Sequence, residues 1–206
     1  MPSTPQNVSS NKKHRTANAA AFEVNYEENL VTLWREINDG TYQPGRSLAF
    51  IVNKPVQREI FAADFRDRIV HHLIVNKINY LFEREFIHDS YACRVGRGTH
   101  FGTNRVDRFI RRETANYARE AWILKLDIKG FFMSIDRRLL FTRLERFLNE
   151  RYHTSDREVV IDLCRKTIYA EPARNCFIRG RHSDWNGLPP DKSLFTARKG
   201  CGLPIG

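Results

Sequence analysis

The 206 residues suit one medium domain or two small ones, and a content of 41% hydrophobic and 12% aromatic residues is enough for a sizeable core, which excludes a disordered protein. A total of 34 Lys and Arg against 24 Asp and Glu gives a net charge of +10, pointing to a polyanionic partner, nucleic acid first, although proteins that bind no polyanion share such an excess. No apolar run reaches membrane-spanning length, the N-terminus lacks a signal-peptide core, and Cys93, Cys164, Cys176 and Cys201 show no CxxC spacing, so free thiols in a reducing cytoplasm are expected rather than a zinc or redox motif.

Residues 1–22 are rich in Ser, Asn, Thr and Lys and read as a flexible basic arm, either touching phosphate or simply unstructured. From Glu27, the spacing of Leu30, Leu33, Trp34 and Ile37 predicts a helix stopped by Asp39-Gly40. Two β-rich runs, 47–52 and 59–62, follow around Asn53-Lys54-Pro55 and predict a hairpin whose tip carries Lys54 and Arg58. A long helix is expected over 66–86, with Ile69, Val70, Leu73, Ile74, Ile78, Leu81 and Phe82 as its apolar stripe. The loop 90–100 then opens a basic helix, with Thr99 as its cap, running to about residue 119 and carrying Arg105, Arg108, Arg111 and Arg112.

Residues 121–127 alternate: Trp122, Leu124 and Leu126 against Ile123, Lys125 and Asp127, the pattern of a strand that ends on a carboxylate. A carboxylate there is either part of an ion pair, with Lys125 or an arginine, or a metal ligand. Gly130 fits a tight turn, and Phe131 is assigned to the core. Asp136 is expected to cap a helix that encloses Leu139, Leu140, Leu144, Phe147 and Leu148, and a further helix spans 156–169. Beyond Glu171 the pattern weakens and no internal repeat is found.

Four stretches, in order, resemble one family. Lys54-Pro55-Val56-Gln57-Arg58-Glu59-Ile60-Phe61 with Asp67-Arg68-Ile69-Val70, then Ser90-Tyr91-Ala92-Cys93-Arg94-Val95-Gly96-Arg97-Gly98-Thr99-His100, then Leu126-Asp127-Ile128-Lys129-Gly130-Phe131-Phe132 with Ser134-Ile135-Asp136, and Gly202-Leu203-Pro204-Ile205-Gly206 look like bacterial reverse transcriptases of the group II intron, retron and diversity-generating type. The resemblance spans about residues 48–206 and implies an α+β fold: right-hand polymerase fingers with the first part of a ferredoxin-like palm, truncated before the family's Tyr-x-Asp-Asp strand. The implied division is fingers at 23–118, a palm strand with the catalytic aspartate at 119–136, further fingers at 137–198 and the start of the next palm motif at 199–206. No Asp-Asp pair occurs in the sequence, so a fragment inactive by itself is expected.

The implied activity is RNA-directed DNA polymerisation, with an RNA template, a DNA primer, deoxynucleoside triphosphates and two magnesium ions as partners. In the resembled family Asp127 is the catalytic carboxylate and a metal ligand, with the carbonyl of Ile128 beside it. Lys54 and Arg58 would hold the triphosphate, and Phe132 would gate the sugar 2′-position or else serve as an ordinary core residue. Arg94 and His100 either brace the palm or meet nucleic acid, and Arg105, Arg108 and Arg112 would follow phosphates or form a solvated face. Pro204-Ile205-Gly206 looks more like diversity-generating and related non-intron enzymes, and Met133-Ser134 departs from the Asp-Asn common in intron enzymes. The alternatives are a non-catalytic RNA- or DNA-binding module on the fingers surface and a protein-interaction domain with a basic face.

Overall fold

A computed structural model describes residues 17–205, and residues 1–16 of the arm expected at 1–22 lie outside them. The order is α1 (Ala17–Val24), α2 (Tyr26–Asn38), β1 (Ser47–Val52), β2 (Arg58–Ala62), α3 (Phe65–Glu85), α4 (Thr99–Glu113), α5 (Phe131–Ser134), α6 (Arg137–Arg151), α7 (Arg157–Tyr169) and β3 (Cys176–Ile178), followed by short 3-10 turns. The architecture is mixed α and β, with seven helices and one three-stranded sheet among the described residues. None of these helices is long and apolar enough to cross a membrane.

The helical layer forms for local reasons. The Asp64 side chain accepts from the backbone N–H of Arg66 and starts α3, and Asp136 accepts from Leu139 N–H at 2.9 Å and starts α6, as expected. Helix α2 stops where Gly40 turns left-handed, at φ +69°, and the N–H of Thr41 returns to the Glu36 carbonyl at 2.9 Å. The inward faces of α2, α3, α6 and α7 then meet in one core containing Leu33, Val70, Ile78, Leu148, Val160 and Leu163. Tyr42 is sealed within it, donating its hydroxyl to Asp67 at 2.8 Å, and burial beside that carboxylate drives the phenol pKa far upward.

The sheet has the order β2-β1-β3. Strands β1 and β2 form the expected antiparallel hairpin, Phe50 opposite Ile60 and Val52 opposite Arg58. Strand β3 pairs parallel to β1, Ser47 opposite Cys176, a contact no local pattern announces. A second core under the sheet gathers Ala49, Phe61, Met133 and Leu194.

Several expectations are corrected. Residues 121–128 form no strand: they carry no regular secondary structure, with Trp122 95%, Leu124 81% and Leu126 80% exposed, and no backbone hydrogen bond joins them to another described residue. Helix α1 occupies part of the expected arm, held by Ala19 burial and by Phe22 against Phe65 at 5.4 Å. Gly98, not Thr99, flanks the start of α4, and α4 ends at Glu113, where Ala115, Asn116 and Tyr117 turn left-handed. Trp34 and Leu139, expected on inward faces, are 64% and 54% exposed.

Candidate active site

Three separated stretches converge on one cleft. The end of α5 is tied to the last described residues: Gly202 N–H donates to the Ile135 carbonyl and Leu203 N–H to the Phe132 carbonyl, each at 2.9 Å. Those residues continue beside β2, where Phe61 N–H donates to the Ile205 carbonyl at 2.8 Å. Segments 58–61, 126–136 and 201–205 thus share one neighbourhood although up to 147 positions separate them in the chain (58 to 205).

The cleft encloses about 680 Å³, within the range of small-molecule sites. Arg58, Asp127, Ile128 and Phe132 all line it, together with Asp191 and Lys192. Arg58 is the first residue of β2 and exposed, so its guanidinium is reachable. The Asp127 carboxylate is exposed and makes no hydrogen bond or ion pair among the described residues. It is neither sunk in a core nor locked to a guanidinium, and its expected partner Lys125 does not engage it.

Local backbone sets the wall of the cleft. Gly130 adopts φ +62°, and a Cβ there would lie 3.2 Å from the Asp191 carbonyl oxygen, so a side chain would push apart the two walls. Phe131 and Phe132 follow, stacked edge-to-face at 5.3 Å and about half exposed. Phe131, assigned to the core from the sequence, is therefore not a core residue: in a single turn of helix only Met133 can face inward, and it is the buried one.

Other predicted residues lie elsewhere. Lys54 sits exposed in the β1–β2 connection and does not line the cleft. Arg94, His100, Arg105, Arg108 and Arg112 belong to α4 and the loop before it, and none of them lines it either. Arg94 braces its own loop against α3 rather than the palm segment: its side chain is 6% exposed, paired to Glu83 at 2.9 Å and donating to the carbonyls of Ile87 and Ser90, both at 3.0 Å. Arg105 is likewise engaged, forking onto Asp89 at 2.6 and 3.0 Å, and that guanidinium holds the Asp89 carboxyl well below the usual range. Arg112 pairs with Glu113, while Arg108 and His100 are exposed.

Two features of this region escape the sequence-based site. Glu59 is 1% exposed and accepts from Trp185 Nε1 at 2.7 Å, Ser193 Oγ at 2.8 Å and Leu194 N–H at 2.5 Å, fastening β2 to the segment that carries Asp191. Strand alternation carried the signal, since Glu59 shares a face with buried Phe61. Asp191 is the other: its Oδ2 is buried without a hydrogen-bond partner, 3.8 Å from Lys129 Nζ. Nothing local marks it.

The residues present fit part of a magnesium site: a hard carboxylate oxygen, unpaired and reachable, beside an open cleft. Among the described residues no three His, Cys, Asp or Glu side chains cluster as a complete metal centre requires. No protein-family model matches the chain, and no curated protein matches it.

Proposed function

We propose that this chain contributes the fingers and first palm segment of an RNA-directed DNA polymerase. The observation that carries the reading is the meeting of Arg58, Asp127, Ile128 and Phe132 in one cleft, four residues singled out by motifs far apart in the sequence. Arg58 supplies a bidentate donor fork for a triphosphate, and Asp127 an oxygen that anchors one side of the reacting centre. Phe132 offers a half-exposed ring against which a deoxyribose is positioned and a 2′-hydroxyl excluded. Two magnesium ions, when bound, supply charge stabilisation for attack by the primer 3′-hydroxyl and for the departing pyrophosphate. Asp127 alone cannot hold both, so the 206 residues form a half-site, inactive until further carboxylates join it.

The test is primer extension on an RNA template, with deoxynucleotides and magnesium, by the product of the complete gene. Extension is expected, and Asp127→Asn abolishes it while RNA binding persists. Extension that survives in that variant refutes the site. A second reading, a non-catalytic RNA- or DNA-binding module, is favoured by the net charge of +10; RNA binding without extension by the complete product would support it.

A further inference from the structure

A second concavity lies where the start of α6 meets the segments 170–174 and 194–202. It encloses about 230 Å³ and shares no lining residue with the cleft. Four cationic side chains line it, Arg137, Arg174, Arg198 and Lys199, against one carboxylate, Glu171.

Glu171 is already divided: one oxygen pairs with Arg137 at 3.0 Å and the other with Arg174 at 3.0 Å. Arg137 has 9% of its side chain exposed and donates also to the Ala170 carbonyl at 3.1 Å, yet its Nε is buried with no acceptor. The side chains of Arg198 and Lys199 are exposed and make no hydrogen bond or ion pair among the described residues. Like charges gathered around a small hollow repel one another, and a buried N–H without an acceptor is costly. One anion with several acceptor oxygens relieves the repulsion among these side chains. Guanidinium forks match phosphate geometry, and the volume, below that of a drug-sized site, fits a single phosphate with some water.

We propose that this hollow is a phosphate-binding site, taking either a phosphodiester of a nucleic-acid strand or free phosphate. The assignment stands on these side chains and does not depend on polymerase activity.

The experiment uses the 206-residue protein and the double variant Arg198→Ala/Lys199→Ala, whose exposed, unpaired side chains can be removed without leaving a buried partner. A control, Arg146→Ala/Arg157→Ala, removes the same charge elsewhere on the surface. Binding of a labelled single-stranded RNA is followed by fluorescence anisotropy from 50 to 200 mM salt. In a second arm, inorganic phosphate is titrated while the backbone amide resonances of Gly200, Cys201 and Gly202 are recorded. A strand-phosphate site predicts that the slope of log affinity against log salt falls by about 1.4 in the Arg198/Lys199 variant, roughly 0.7 per contact, and by less in the control. It also predicts saturable phosphate shifts that the Arg198/Lys199 variant loses. Saturable shifts with an unaltered RNA slope assign the site to free phosphate. Non-saturating shifts, or equal slope losses in both variants with no saturable shift, overturn the proposal.

Discussion

Glu59→Gln isolates what one buried carboxylate does for the cleft. In the native protein Oε2 accepts from the indole N–H of Trp185 and the hydroxyl of Ser193, and Oε1 accepts from the Leu194 N–H. Glutamine fills the same volume but keeps a single acceptor oxygen. In its best orientation the carbonyl stays with Trp185 and Ser193, and the new NH2 is set against the Leu194 N–H. The Leu194 N–H and the new NH2 then both lack an acceptor, which costs at least about 1–3 kcal/mol, and two charge-assisted bonds weaken to neutral ones at about 0.5–1 kcal/mol each. Relief of carboxylate desolvation offsets part of this, leaving a net loss of about 2–3 kcal/mol. That is a large share of the 5–15 kcal/mol typical of a domain. Urea unfolding should show the midpoint falling by about 1 M or more with the slope unchanged. Trp185 is a built-in probe, since Trp34 and Trp122 are already 64% and 95% exposed and Trp185 alone is part-buried; its emission should shift to the red. A loss below about 0.5 kcal/mol would refute the view that this carboxylate fastens β2 to the 185–194 segment.

Gly202→Ala should destabilise by about 2–4 kcal/mol, because φ is +93° and the added Cβ would lie 2.7 Å from Leu194 Cδ1, whereas Gly40→Ala, at φ +69° with nothing within 4 Å, should lose only about 1 kcal/mol; urea midpoints of the two compare them directly. Asp156 is held at about 2, below the free carboxyl value, first by Lys77 at 2.7 Å and then by Thr154. Its folded pKa is the lower one, so its stabilisation is complete above about pH 4 and is lost between about pH 4 and 2, an effect of about 1 kcal/mol after solvent screening; Lys77→Met should flatten that acid limb of stability against pH. Phe132→Ala, in the complete gene product, should raise ribonucleotide incorporation relative to deoxyribonucleotide by about tenfold or more in single-nucleotide extension, and unchanged selectivity would remove Phe132 from the gate role.

The elements legible in the sequence are those whose causes are local. Helices α3 and α7 lie within a residue of their expected bounds and α6 starts at its expected Asp136 cap, since apolar spacing and caps act within one or two turns. The β1–β2 hairpin is local in the same sense. Strand β3 was not legible, because it exists only through pairing with residues more than 120 positions earlier. The site divides along the same line. The family resemblance singled out Asp127, Ile128, Phe132 and Arg58, which do share a cleft, yet Asp191 and the anchoring role of Glu59 depend on contacts across more than 60 residues of chain. For the arginines, sequence supplies charge but not its employment: Arg94 and Arg105 are already engaged by Glu83 and Asp89, while Arg198 and Lys199, outside every predicted site, have no partner among the described residues.

Residues 121–128 show why a correct pattern can yield an incorrect element. The alternation Trp122, Leu124, Leu126 is as clear as any in the chain, yet no regular element forms there. A helix satisfies its own N–H and C=O groups, so its periodicity is sufficient to form it once one face is buried. A strand satisfies neither without a neighbour, so its periodicity records only a capacity to pair. Among the described residues nothing answers that capacity, and the apolar side chains stay 66–95% exposed from Trp122 to Ile128, apart from Lys125 and Asp127 between them. The carboxylate on which the proposed chemistry turns therefore sits at the end of the least supported stretch of the fold. Catalytic positioning demands better than about 0.5 Å. On the proposed polymerase reading, Asp127 can act only once this segment acquires a partner backbone, so pairing of residues 121–128 would precede activity rather than be a detail of architecture.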